Sequence, residues 1–139
     1  MKNISKICFL PVLAFAIVSH AAFSPASAKK IVSGIPDELK GFRGMMSGKL
    51  IEKKQGASFV FRVDRIMKTW KANKAENARK AVGKTIVLSL EKVSKHHGER
   101  IMKNYKSLKN GDQIEVEAFD LGSSTLNVKE WLKKAPVDK

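Results

Sequence analysis

Residues 97–119, HGERIMKNYKSLKNGDQIEVEAF, place a helical pattern directly before a strand pattern. In the first twelve residues the apolar side chains recur at helical spacing, at Ile101, Tyr105 and Leu108, with Met102 adjacent. This spacing predicts a short amphipathic helix over residues 97–108. Asn110-Gly111 predicts its end, because glycine readily adopts the left-handed conformation that terminates helices.

The second half of this stretch alternates between apolar and polar residues. Ile114, Val116 and Ala118 are apolar, and Glu115 and Glu117 stand between them. Successive side chains of a strand point to opposite faces, so residues 113–119 predict a strand with an apolar inner face and an acidic outer face.

Three more strands are predicted upstream of the helix. In the first strand alternate positions are apolar or glycine: Phe42, Gly44, Met46, Gly48 and Leu50. Glycines permit the bending and close packing that barrel strands require. The polar segment 52–56 has the length of a hairpin connection. The clearest strand follows at 58–67, and a third is predicted at 82–90. Their inward residues are Phe59, Phe61 and Val63, then Ile86, Leu88 and Leu90.

The remaining segments are predicted to be connections, except for one last strand at 125–128. Residues 29–41 predict a flexible lead-in, and 133–139 a basic C-terminal tail. Residues 68–81 have almost no apolar stripe to bury, which predicts a long exposed loop containing at most one helical turn. Trp131 and Leu132 are expected to close one end of the sheet.

The predicted order is strand, strand, strand, helix, strand, strand, in a chain that is mainly β with one short helix. Between residues 42 and 132 this order resembles an OB-fold, the five-stranded Greek-key barrel with a helix between its third and fourth strands. The local cues are Val82-Gly83-Lys84 before the third strand and Leu108-Lys109-Asn110-Gly111-Asp112 before the fourth. An SH3-like barrel is the alternative.

Residues 1–28 have the layout of a cleavable secretory signal. Lys2 and Lys6 precede an uncharged run over residues 7–18, and Ala26-Ser27-Ala28 supplies the small residues that signal peptidase needs. The run is shorter than the roughly 20 residues of a membrane span. We therefore expect export to the periplasm or medium, with no transmembrane segment after cleavage.

The predicted mature chain is strongly basic and has no cysteine. The full chain has a formal net charge of +14, and loss of Lys2 and Lys6 with the signal reduces it to +12. Cys8, the chain's one cysteine, also lies in the signal, so disulfides, thiolate metal sites and a cysteine nucleophile are excluded afterwards. Residues 62–84 contain eight basic and two acidic residues, whereas residues 112–120 contain four acidic and no basic ones. Such asymmetry favours anionic partners, although high solubility also explains it.

The basic loop supplies the candidate binding residues. The resemblance to OB-folds implies binding of single-stranded nucleic acid or oligosaccharide, and an aromatic ring among lysines suits stacking together with phosphate contacts. The residues concerned are Trp70, Lys68, Lys71, Lys74, Arg79, Lys80 and Arg62. The alternative for Trp70 is that it caps one end of the barrel.

Other kinds of site have weaker support in the sequence. His96 and His97 are adjacent and have no third ligand at a suitable spacing, so no metal and no cofactor are predicted. Residues that could form a nucleophile, base and orienting group are not found together, so an enzyme is not expected. We expect an exported, non-catalytic module whose basic face binds a polysaccharide, lipid headgroups, nucleic acid or an acidic protein. The alternative is a structural or accessory subunit of an envelope protein assembly.

Overall fold

The computed structural model describes residues 31–137. The predicted signal peptide, the first two residues of the predicted mature chain and the last two of the tail lie outside this range. Within it, no helix has the length and apolar character needed to cross a membrane.

The described residues form five strands and one α-helix in the predicted order. The strands are β1 (Arg43–Lys53), β2 (Ser58–Thr69), β3 (Thr85–Ser89), β4 (Gln113–Phe119) and β5 (Leu126–Lys134). Helix α1 (Gly98–Ser107) lies between β3 and β4, and two short 3-10 helices span Asp37–Leu39 and Ala78–Ala81. The predicted fold class, mainly β with one short helix, is confirmed.

The five strands close into a barrel with the spatial order β1-β2-β3-β5-β4. All neighbours are antiparallel except β3 and β5, which run parallel and pair over two positions, Leu88 with Leu126 and Ser89 with Asn127. β1 pairs with β2 on one side and with β4 on the other.

The barrel interior is filled by the predicted alternating side chains. Phe42, Met46 and Leu50 are fully buried, as are the inward residues of β2 and β4. α1 covers one end of the barrel: the Tyr105 ring lies 5.7 Å from that of Phe59, and its hydroxyl donates to the Ser58 carbonyl at 3.1 Å.

The opposite end of the barrel is covered by the segment predicted to be a long exposed loop. That prediction was wrong in two respects. β2 continues to Thr69, and Ala75, Ala78 and Ala81 are buried against the core, next to the fully buried Leu39. Alanines spaced three apart in an irregular segment with one 3-10 turn can share an inward side even without a long apolar stripe, because small side chains fill the narrow end of a barrel.

Other segment boundaries also differ from the sequence prediction. β3 begins at Thr85 rather than Val82, since Gly83 has a φ of +91° that interrupts extended backbone, and Val82 is 47% exposed. Trp131 is 38% exposed and does not close the barrel end, although Leu132 is buried. β5 continues through Lys133 and Lys134, which were predicted to start the tail.

The described part of the predicted flexible lead-in is packed on the barrel. Ile31 forms a parallel bridge with Thr85, and the amide of Val32 donates to the Thr85 carbonyl at 2.8 Å. Pro36 is buried and Leu39 is fully buried. The apolar residues at 32, 35 and 39 pack against the core, which holds this segment in place.

Candidate binding site

Hydrogen bonds to the start of β1 anchor the connection between β2 and β3. The Asn73 side-chain oxygen accepts from the Arg43 amide at 3.0 Å, and its nitrogen donates to the Ala75 carbonyl at 3.1 Å. The Lys74 amide donates to the Gly41 carbonyl at 2.9 Å. Three alanines of this segment, Ala75, Ala78 and Ala81, are buried against the core. The charged residues of 71–80 are exposed: Lys71, Lys74, Glu76, Arg79 and Lys80.

A cleft of about 620 Å³ lies between the last residues of β2 and the segment 73–80. Its apolar lining comes from Ile66 and Met67 on one wall and from the alanines of the segment on the other. Four charged side chains also line it, three of them cationic and one anionic: Lys68, Arg79, Lys80 and Glu76. Cations around a partly apolar recess can pair with an anionic group whose carrier packs on the recess wall.

The predicted site residues divide into two groups. Lys68, Lys71, Lys74, Arg79 and Lys80 are all exposed, and none forms a salt bridge with another residue between 31 and 137. Lys74 and Lys80 line a neighbouring groove that also contains Asp37 and Glu38. Arg62 is separate: its Nε donates to Asp64 at 2.8 Å, and this hydrogen bond and the negative charge of Asp64 raise the pKa of Arg62.

Trp70 lies outside the lining of the cleft. Its amide donates to the Arg43 carbonyl at 2.9 Å, which places it against the start of β1, and Lys68 Nζ lies 5.0 Å from its ring centroid. The buried indole nitrogen has no partner with full hydrogen-bond geometry within residues 31–137. Trp70 is therefore half-buried beside the start of β1, and the ammonium group of Lys68 lies over its ring.

The carboxyl group of Glu117, near the Trp70 indole, has a shifted pKa. Partial burial and the negative charge of Glu130 raise the pKa of Glu117, whereas the Trp70 indole, Lys129 and His97 act in the opposite direction. The net shift is upward, because removal of the carboxylate from water outweighs the nearby positive charges.

Sequence reasoning missed a second aromatic residue with cations beside it. The Phe119 ring has Arg43 at 5.8 Å from its centroid and Lys129 at 5.7 Å, from the strands on either side of β4. The signal was present in the sequence: Phe119 is out of phase with the inward residues of β4, so its side chain must point outward like those of Glu115 and Glu117.

The two adjacent histidines do not act together. His97 Nε2 lies 3.7 Å from Glu130 Oε2, and Arg100 donates to its Nδ1 at 3.0 Å. His96 is exposed. Within the described range, no group of three or more His, Cys, Asp or Glu side chains is placed to hold a metal ion.

Comparison of the chain with protein-family models, with curated proteins and with solved structures finds no match.

Proposed function

We propose that this chain is a non-catalytic binding module with an OB-fold, and that it binds an anionic partner at the basic cleft. Support for the OB-fold comes from connectivity: the strand order β1-β2-β3-β5-β4, the parallel pairing of β3 with β5, and the helix between β3 and β4. These three features together favour an OB-fold over an SH3-like barrel.

One observation carries the functional part of the proposal. Five exposed cations on residues 68–80 surround one end of the barrel without a salt bridge to any other described residue. Unpaired like charges repel one another, and an anion that binds among them relieves this repulsion. Polysaccharide sulfates and carboxylates, lipid phosphates, nucleic acids and acidic proteins all offer such anions.

The predicted signal peptide indicates where the partner would be found. If residues 1–28 direct export, the partner is in the periplasm or outside the cell. Attraction at exposed charges is screened by salt, so binding should weaken steeply as ionic strength rises. About three cation contacts to a phosphate polymer predict a loss of roughly 100-fold in affinity for a tenfold rise in salt.

The test is binding of the purified protein to polyphosphate, heparin and polyglutamate at low and high salt. A triple variant, Lys68→Glu, Arg79→Glu and Lys80→Glu, reverses the cleft charge. The matched control reverses the charge of three exposed lysines outside the cleft, with the substitutions Lys95→Glu, Lys103→Glu and Lys109→Glu.

We expect the cleft variant to lose at least about tenfold more affinity than the control, which has the same net charge. Equal losses would show that only net charge matters, and absence of binding at low salt would refute the proposal. A native partner that stays bound at high salt would instead support an accessory subunit of an envelope assembly.

A further inference from the structure

β2 extends well beyond the strand that pairs with its second edge. Pairing of β2 with β3 ends at Arg62 opposite Thr85. Val63 then exchanges two backbone hydrogen bonds with the turn before β3, accepting from Gly83 and donating to Lys84. From residue 64 to residue 69, the edge of β2 opposite β1 has no strand partner in the part of the chain that the structure describes.

This free edge is accessible and has the length of a short peptide. Arg65, Lys68 and Thr69 are exposed, and Ile66 and Met67 are half-buried. Six residues at ~3.3 Å each give an edge of at most about 20 Å, since the pairing with β1 shifts register at Asp64 and Met67 and such bulges bend a strand. A free edge presents unpaired amide and carbonyl groups, which are a template for another strand.

The cleft lies directly along part of this edge. Residues 66–69 form one wall, and the anchored segment 73–80 forms the other. The cleft therefore offers an occupant three things together: backbone donors and acceptors, an apolar surface at Ile66 and Met67, and a net positive charge from Lys68, Arg79 and Lys80 against the single acid Glu76.

We propose that the anionic partner is an acidic polypeptide segment of five or six residues, which adds to the free edge of β2 as an extra strand. This inference rests on the proposed function and narrows it to one class of ligand. Among the polyanions considered above, a polypeptide alone has amides and carbonyls at the spacing of the strand edge. Its charge is complementary to the unpaired cations of the cleft.

The alternation of side chains along a strand predicts the sequence pattern of the bound peptide. Acidic residues at every second position would all face the cations, and the apolar residues between them would face the half-buried Ile66 on the other side of the strand. The expected ligand is therefore an acidic–apolar repeat rather than a continuous run of acids.

The test uses a blocked hexapeptide of alternating Glu and Val and two N-methylated isomers of it. One isomer is methylated on the three Glu amides and the other on the three Val amides, so charge and composition are identical. In a strand these two sets of amides point to opposite sides, and only one set can donate to β2.

We expect one isomer to bind at least about tenfold more weakly than the other, since it loses about three hydrogen bonds. The parent peptide should also slow amide hydrogen exchange at residues 65–69. Equal affinities of the two isomers overturn strand addition. Binding of polyphosphate without binding of the parent peptide overturns it too, while leaving the proposed function intact.

Failure of the two proposals can be told apart with the charge-reversal variant. If the isomers bind equally but Lys68→Glu, Arg79→Glu and Lys80→Glu still weakens them, the cleft binds anions without adding a strand. If no polyanion of any kind binds the protein at low salt, the proposed function itself fails.

Discussion

Replacement of Gly48 by alanine should destabilise the barrel strongly. A Cβ atom at this position would overlap the carbonyl oxygen of Arg62 on β2 and would lie 2.7 Å from Cζ of the Phe61 ring. The first of these neighbours is backbone, so β1 and β2 would have to separate locally. Overpacking of this kind costs typically 1–3 kcal/mol.

Because the closest neighbour is backbone, the cost lies at the upper end of this range, about 3 kcal/mol, and alanine recovers less than about 1 kcal/mol by restricting the unfolded chain, so the expected net loss is about 2–3 kcal/mol. For a domain of this size, that loss lowers the melting temperature by roughly 8–15 °C. Thermal and urea unfolding followed by circular dichroism would measure both quantities.

Gly98→Ala is the matched control for this substitution. Gly98 is the first residue of α1, and a Cβ there would meet no atom within 4 Å. Alanine favours helix over glycine by up to about 1 kcal/mol, so this variant should be as stable as the wild type or more so. A stability of Gly48→Ala within about 0.5 kcal/mol of the wild type would refute the reasoning from close strand approach.

Three further predictions concern the helix, an acid and the barrel end. The Asn104 side chain donates to the carbonyl of Leu132 at 2.8 Å, so Asn104→Ala should cost about 1–3 kcal/mol in urea unfolding by leaving that carbonyl unpaired. Burial raises the pKa of Glu117, so wild-type stability falls as pH rises through the interval between the ordinary and the raised pKa. Glu117→Gln should therefore melt above the wild type at pH 7, and the difference should vanish near pH 3. Ala81→Glu should cost at least about 3 kcal/mol because it buries a charge, whereas Lys80→Glu should leave stability within about 0.5 kcal/mol and weaken polyanion binding.

The parts of the fold with regular periodicity were predictable from sequence. Residues 113–119 alternate strictly, and β4 has the predicted bounds and inward residues. The helical spacing of Ile101 and Tyr105 likewise predicted the buried face of α1. In both cases one apolar face is packed on one core, so local pattern and tertiary structure agree.

The barrel end was not predictable in the same way. Its burial depends on alanines in a segment with a single short 3-10 helix, and such a segment has no fixed period from which a buried face can be read. The cleft depends on a difference in length: β2 has 12 residues and β3 has 5. Sequence predicted both strands, but the register that leaves residues 64–69 without a partner is a tertiary property.

The length of β2 explains both the closure of the barrel end and the charge displayed there. Because β2 runs past β3, the chain must return across the mouth of the barrel to reach Thr85. Small side chains at 75, 78 and 81 let it pass close to the core, while the charged residues between them, Glu76, Arg79 and Lys80, are exposed. Core and charge thus occupy alternate sides of one segment, so the charge of the cleft can be changed without changing the packing beneath it. The free edge of β2 is a consequence of the same geometry, since the returning segment crosses the mouth instead of pairing with residues 64–69.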